Sequence, residues 1–187
     1  ISWTSNPRDV ALLRATWTED FEILYNIGSG IFHHLFDGPN GTESKTLFPW
    51  IAKYEEEGID YVQTNDFRVL CLRLVQTVAI FLEEVGDKAK VEVFLYKLGA
   101  RHVNYLPHDL PPACFETLRE SVHFGLNERI NSLPRLTKEE RERAIHIWAD
   151  TVVYIFHLVQ EGFYDALRGF DRFPHIHLKA ASHHFAP

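Results

Sequence analysis

Apolar residues along the 187-residue chain recur mostly at three- and four-residue steps, the spacing of one face of a helix. Val10, Leu13, Trp17 and Phe21 form a first stripe, and Leu24, Gly28, Ile31, Phe32 and Leu35 a second. They predict two amphipathic helices in succession. Asp37-Gly38-Pro39-Asn40-Gly41 then supplies turn conformations and predicts a loop, after which Leu47-Phe48-Pro49-Trp50 adds a short apolar segment. The clearest helix lies between Asp66 and Val85. No Gly or Pro interrupts it, and Phe67, Leu70, Cys71, Leu74, Val75 and Val78 share one stripe ahead of a stop at Gly86. A shorter helix holds Val91, Leu95, Leu98 and His102 and ends before Pro107. The next starts near Pro111-Pro112 and carries Phe115, Leu118, Val122 and Leu126. Thr137 and Glu140 form a capping box for a last helix whose buried face includes Trp148, Val152, Ile155 and Phe156. The periodicity dissolves after Arg168.

These elements predict an all-α domain of six to eight helices, with no βαβ unit and no dinucleotide or phosphate-loop fingerprint. Residues 1–7 read as an N-terminal extension, 8–168 as the helical domain and 169–187 as a tail. Phe170, Phe173, Ile176 and Phe185 in that tail predict packing back on the body. No apolar run approaches the roughly 20 residues that cross a bilayer, so this segment is not expected to insert in a membrane. With 19 basic and 26 acidic residues the net charge is −7, which argues against a surface that grips nucleic-acid phosphates and leaves small molecules or proteins as partners. Cys71 and Cys114, the two cysteines, sit in apolar helical patterns and predict reduced thiols in a cytoplasmic setting. The chain contains no Met and reads as an excised domain, leaving a fusion partner or a homo-oligomer open.

Eleven histidines raise the question of a metal or cofactor. His33, His34, His123, His146 and His157 read as structural or surface residues lacking a second ligand one turn on. His175, His177, His183 and His184 lie in the tail and do not read as a built metal site. His102 differs. It closes the helix in Leu98-Gly99-Ala100-Arg101-His102, with apolar Leu98 one turn earlier on the same face, where a planar apolar ligand could rest. Taken alone, such a residue is more often a core histidine than a ligand.

Several positions in order resemble the animal globins over roughly residues 8–166. Trp17 looks like the Trp of the first globin helix, and Gly28 like the Gly at which the second helix crosses the distal one. Phe48 resembles the Phe that stacks on the haem after the third helix. Leu98 to His102 is similar to the proximal segment of cytoglobin-like and neuroglobin-like chains, Trp148-Ala149 to their last helix, and the whole loosely to divergent nematode-type globins. The resemblance implies a globin fold around a pocket for haem b, with His102 as the iron ligand and a backbone carbonyl near Leu98 orienting its ring.

On the opposite face the family pattern fails. Leu70 stands where such globins usually carry the distal His, and no His occurs between His34 and His102. The distal wall would be Phe32, Phe48, Phe67, Leu70 and Leu74, without a neutral hydrogen-bond donor. Arg73, three residues beyond Leu70 and about 60° round the helix, either folds its guanidinium over the pocket mouth or points into solvent. In the first case it would favour anions such as nitrite or hydroxide, or a haem propionate. Cys71 should face the helix carrying Gly28 as a small hydrophobe. The implied function is sensing or redox chemistry with O2, CO, NO or small anions, nitrite reduction included, rather than oxygen storage. A regulatory globin module of a larger receptor or signalling protein and a haem-free globin-fold binding module are the alternatives.

Overall fold

Polar residues that interrupt the apolar stripes turn out to cap the helices in the computed structural model, which describes Trp3 and residues 6–177. Among these residues there are eight α-helices and no strand. Asn6 caps α1 (Pro7–Thr16) through Arg8 N–H, and Asp20 caps α2 (Phe21–Asp37) through Ile23 N–H. Two short helices follow, α3 (Gly41–Lys45) and α4 (Pro49–Glu56). Thr64 caps α5 (Asn65–Glu84), and Asp87 caps α6 (Lys88–Arg101), which tightens into a 3-10 turn over His102–Asn104. Then come α7 (Pro112–Asn131) and α8 (Lys138–Leu167), the latter opened by the reciprocal Thr137–Glu140 capping box.

Two boundaries differ from the periodicity. The stripe through Val10, Leu13, Trp17 and Phe21 is broken after Thr16: Trp17 is extended and Phe21 starts α2 with its ring exposed. The cap at Asp20 satisfies free N–H groups that a continuous helix would have used differently, and it outweighs the spacing. Part of the expected Asp37–Gly41 loop is helical too, since α2 runs through Asp37 and Gly41 opens α3. A Cβ at Gly41 would lie 1.9 Å from the Phe36 carbonyl oxygen, so α3 starts against α2 without a side chain.

Glycines also set the main crossings. α6 and α8 form the most extensive pairing, and there a Cβ at Gly99 would meet the Val159 carbonyl oxygen at 1.9 Å while one at Gly162 would meet that of Tyr96 at 1.9 Å. α2 crosses α5 with Gly28 on Cys71, where an added Cβ would sit 2.6 Å from the Cys71 carbonyl oxygen. The largest core cluster joins Leu13, Phe81, Leu95, Leu126 and Trp148. Trp148 Nε1 donates to Thr16 Oγ1 at 2.7 Å, and both residues are 1% exposed. Thr16→Val keeps the shape but orphans that buried N–H, and a loss of about 1–3 kcal/mol is expected in chemical unfolding; an unchanged midpoint would refute this role.

Both ends of the described chain are tied down. Trp3, inside the expected extension, is buried: it stacks on Tyr154 at 5.5 Å, meets Phe81 edge-on and donates to Thr151. In the tail, Asp171 pairs with Lys97 at 2.6 Å and Phe173 sets its ring edge-on to Tyr96 at 5.3 Å. The Arg172 guanidinium lies over Tyr96 and bonds Glu161 at 3.0 Å. Phe170 and Ile176 remain exposed, and Phe185 lies outside the described residues. No described helix is long and apolar enough to cross a membrane.

Candidate functional site

α6 ends at Arg101, and its last turn delivers His102 at the C-cap. The His102 Nδ1 lies 2.7 Å from the Leu98 carbonyl oxygen. A carbonyl only accepts, so Nδ1 carries the proton and donates it, which leaves the Nε2 lone pair free. Nε2 meets no hydrogen-bond partner among the described residues. Burial pushes the His102 pKa below the ordinary histidine value; the Leu98 carbonyl opposes this, and neighbouring Arg101 adds to it. A lowered pKa keeps the ring neutral further into the acid range, the state in which imidazole donates to a metal.

Phe32 and Phe67 are buried in an aromatic cluster with Phe36, Tyr61 and Ile51, and Phe48, Leu70 and Leu74 flank that cluster half-buried. The five residues expected on the distal wall therefore come together. Leu74 also touches the main core, and Leu98 is half-buried one turn before His102. Tyr61, Phe36 and Trp50 escaped the sequence reading because their partners are distant in the chain; Phe36 meets Phe48 at 5.5 Å and Tyr61 at 6.0 Å. Arg73 is exposed on α5, and its guanidinium makes no hydrogen bond or ion pair among the described residues.

Cys71 packs under Gly28 and is fully buried. Burial pushes its thiol pKa up to about 12, so it stays a neutral thiol near neutral pH and is a poor nucleophile. A thiol alkylating agent at pH 8 should therefore modify Cys114 in the native protein and leave Cys71 untouched until unfolding; mass spectrometry of the labelled chain checks this. The expectation that the helical histidines lack a second ligand one turn on needs correction. His33 pairs with Asp37, His146 with Asp150 and His157 with Glu161, at 3.5, 3.5 and 3.7 Å. No group of three metal-ligating side chains forms among the described residues. His34 bonds Ser121 and stacks on Phe124. His183 and His184 lie outside the described residues.

The donor set fits haem. A neutral imidazole held by a backbone carbonyl, with its second nitrogen free, suits axial ligation, and the half-buried side chains of Phe48, Leu70, Leu74 and Leu98 are apolar as a porphyrin face requires. The fold is all-helical among the described residues. The family model for Globin matches residues 29–154, more than half of the chain, and the chain belongs to the globin family. Globins generally bind haem. No curated protein matches the chain.

Proposed function

We propose that this globin holds haem b with His102 Nε2 as the iron's axial ligand, and that it serves gas or anion sensing or redox chemistry rather than oxygen storage. The observation that carries the reading is the 2.7 Å contact from His102 Nδ1 to the Leu98 carbonyl, which presents a neutral Nε2 with nothing bonded to it. Haem, when bound, supplies an iron that takes O2, CO, NO, nitrite or hydroxide and changes oxidation state by single electrons. The chain's own residues then set selectivity. Leu70, Leu74, Phe32, Phe48 and Phe67 exclude water from the opposite face, and none of them donates a hydrogen bond, so a bound gas gains no neutral partner there.

Arg73 brings the charge this wall lacks. Three residues beyond Leu70 on α5, its exposed and unpaired guanidinium is the cation available to draw anions to the pocket mouth, nitrite above all. Arg73→Ala should weaken nitrite binding to the ferric protein by about fivefold, the scale of an exposed charge pair, while leaving CO binding to the ferrous protein unchanged. Equal nitrite affinity in both proteins would remove Arg73 from the site. Absorption spectra in ferric, ferrous and CO-bound states test the haem reading itself; a chain that takes up no haem would instead be a haem-free binding module.

A regulatory globin module of a longer receptor or signalling protein is a second reading. Trp3 on α8 and Asp171–Phe173 on α6 favour it, because both ends of the described chain grip the helix pair that positions His102. Under either reading a cytoplasmic setting would keep Cys71 and Cys114 reduced.

A further inference from the structure

The aromatic side chains from Phe48 along α4 form an unbroken series. Phe48 meets Trp50 at 6.1 Å between ring centroids, and Trp50 meets Tyr54 at 6.4 Å. At the outer end, the half-exposed Tyr54 donates its hydroxyl hydrogen to Asp66 Oδ2 at 2.7 Å. We infer that Phe48, Trp50 and Tyr54 form an electron relay from a small one-electron donor at the protein surface to the haem pocket, with Asp66 taking the phenolic proton when Tyr54 is oxidised. The inference rests on the proposed haem site, because Phe48 is its inner end.

Two tyrosines compete for this role, and their surroundings separate them. Oxidising a phenol at neutral pH requires loss of its proton along with the electron, and a hydrogen-bonded carboxylate is the acceptor that makes the paired loss easy. Tyr54 has one. Tyr61 also touches Trp50, at 6.5 Å, but it is buried and its hydroxyl meets no acceptor among the described residues. In addition, the Lys45 ammonium stands 5.1 Å from the Tyr61 ring centre, and a cation over a π face opposes removal of an electron from it. The arrangement therefore directs oxidation outward to Tyr54 and away from Tyr61.

The oxidant class is a hydroperoxide. Its O–O bond breaks as it takes up two electrons and two solvent protons, yielding an alcohol, or water from hydrogen peroxide, and one further water. With haem bound, the haem group would supply one electron and Tyr54 the other, by way of Trp50 and across the Phe48 ring, and the Tyr54 proton would pass to Asp66. A small phenol or enediol at the surface then returns one electron to the tyrosyl radical, and Asp66 returns the proton; a second donor molecule returns, by the same route, the electron that the haem group gave.

The test mixes the haem-loaded ferric protein with hydrogen peroxide, freezes it within seconds and records its electron paramagnetic resonance spectrum. A tyrosyl signal is expected in the native chain and in Tyr61→Phe, and its loss in Tyr54→Phe. Trp50→Leu should also lose the signal while keeping the ferric absorption bands. In a second arm a dissolved ruthenium photo-oxidant generates the radical in the full chain without using the haem, and Asp66→Asn should lower the Tyr54 yield relative to Tyr61. A radical on Tyr61, a signal that survives Tyr54→Phe, or a yield indifferent to Asp66→Asn would overturn the relay while leaving the haem reading intact. Failure of the chain to hold haem would overturn both.

Discussion

Replacing His102 with Gly should strip haem from the chain at concentrations where the native protein stays loaded, and free imidazole should restore the absorption bands. Loss of an outer partner of a metal ligand typically costs about 10–100-fold in affinity, and removal of the axial nitrogen itself should exceed that range. Rescue by imidazole matters because it separates lost ligation from lost folding. His102 is half-buried and bonds only the Leu98 carbonyl, with Tyr105 near its edge, so the fold has little to lose at this position. Haem retention in His102→Gly equal to the native protein would show that another residue holds the iron.

The second large effect lies at the crossing that supports that histidine. Gly162→Ala would place a methyl carbon 1.9 Å from the Tyr96 carbonyl oxygen and 3.0 Å from the Ala100 nitrogen, and Gly99→Ala would place one 1.9 Å from the Val159 carbonyl oxygen. Each clash is with backbone, so no side chain can rotate out of the way and α6 must separate from α8. A loss of about 3 kcal/mol or more is expected in urea unfolding, the upper end of what overpacking costs, together with weakened haem retention as Leu98 and His102 shift. Gly30→Ala is the control. Nothing lies within 4 Å of its added Cβ, and as a helical Gly→Ala exchange it should stabilise α2 by roughly 0.5–1 kcal/mol. Similar effects at Gly30 and Gly162 would mean that helix propensity rather than the crossing governs both.

Much of the helical frame was legible because its signals are local. The Thr137–Glu140 box and the Pro111-Pro112 start lie within a few residues of the boundaries they set, and the period-3.6 stripe on α5 needed no partner to be seen. α3 was not legible: Gly41-Thr42-Glu43-Ser44-Lys45 carries no apolar residue, and its place comes from the approach of Gly41 to Phe36. Trp17 misled because its spacing fits one continuous helix, whereas α1 ends at Thr16 and Asp20 opens the next. For the site, Leu98 and His102 share a face by helix geometry alone, so the carbonyl implied near Leu98 could be anticipated. The aromatic cluster could not, since Phe36, Phe48, Tyr61 and Phe67 meet only after four segments fold together. Arg73 shows a different limit. Four side-chain torsions separate its Cα from its charge, and no local pattern says which way they point. The carboxylates paired with His33, His146 and His157 stand at i+4 in the sequence, so helix spacing alone makes these pairs legible.

The short tail contact has a mechanical meaning as well. Asp171 and Arg172 hold Lys97 and Tyr96, residues within two turns of His102, while the backbone just behind them leads directly into α8. A pull on the chain beyond Phe173 thus loads α6 before it strains the core, and the strap works as a handle on the helix that ends at His102. In single-molecule stretching from the C-terminus, the first yield should disappear when Asp171 and Arg172 are both replaced by alanine.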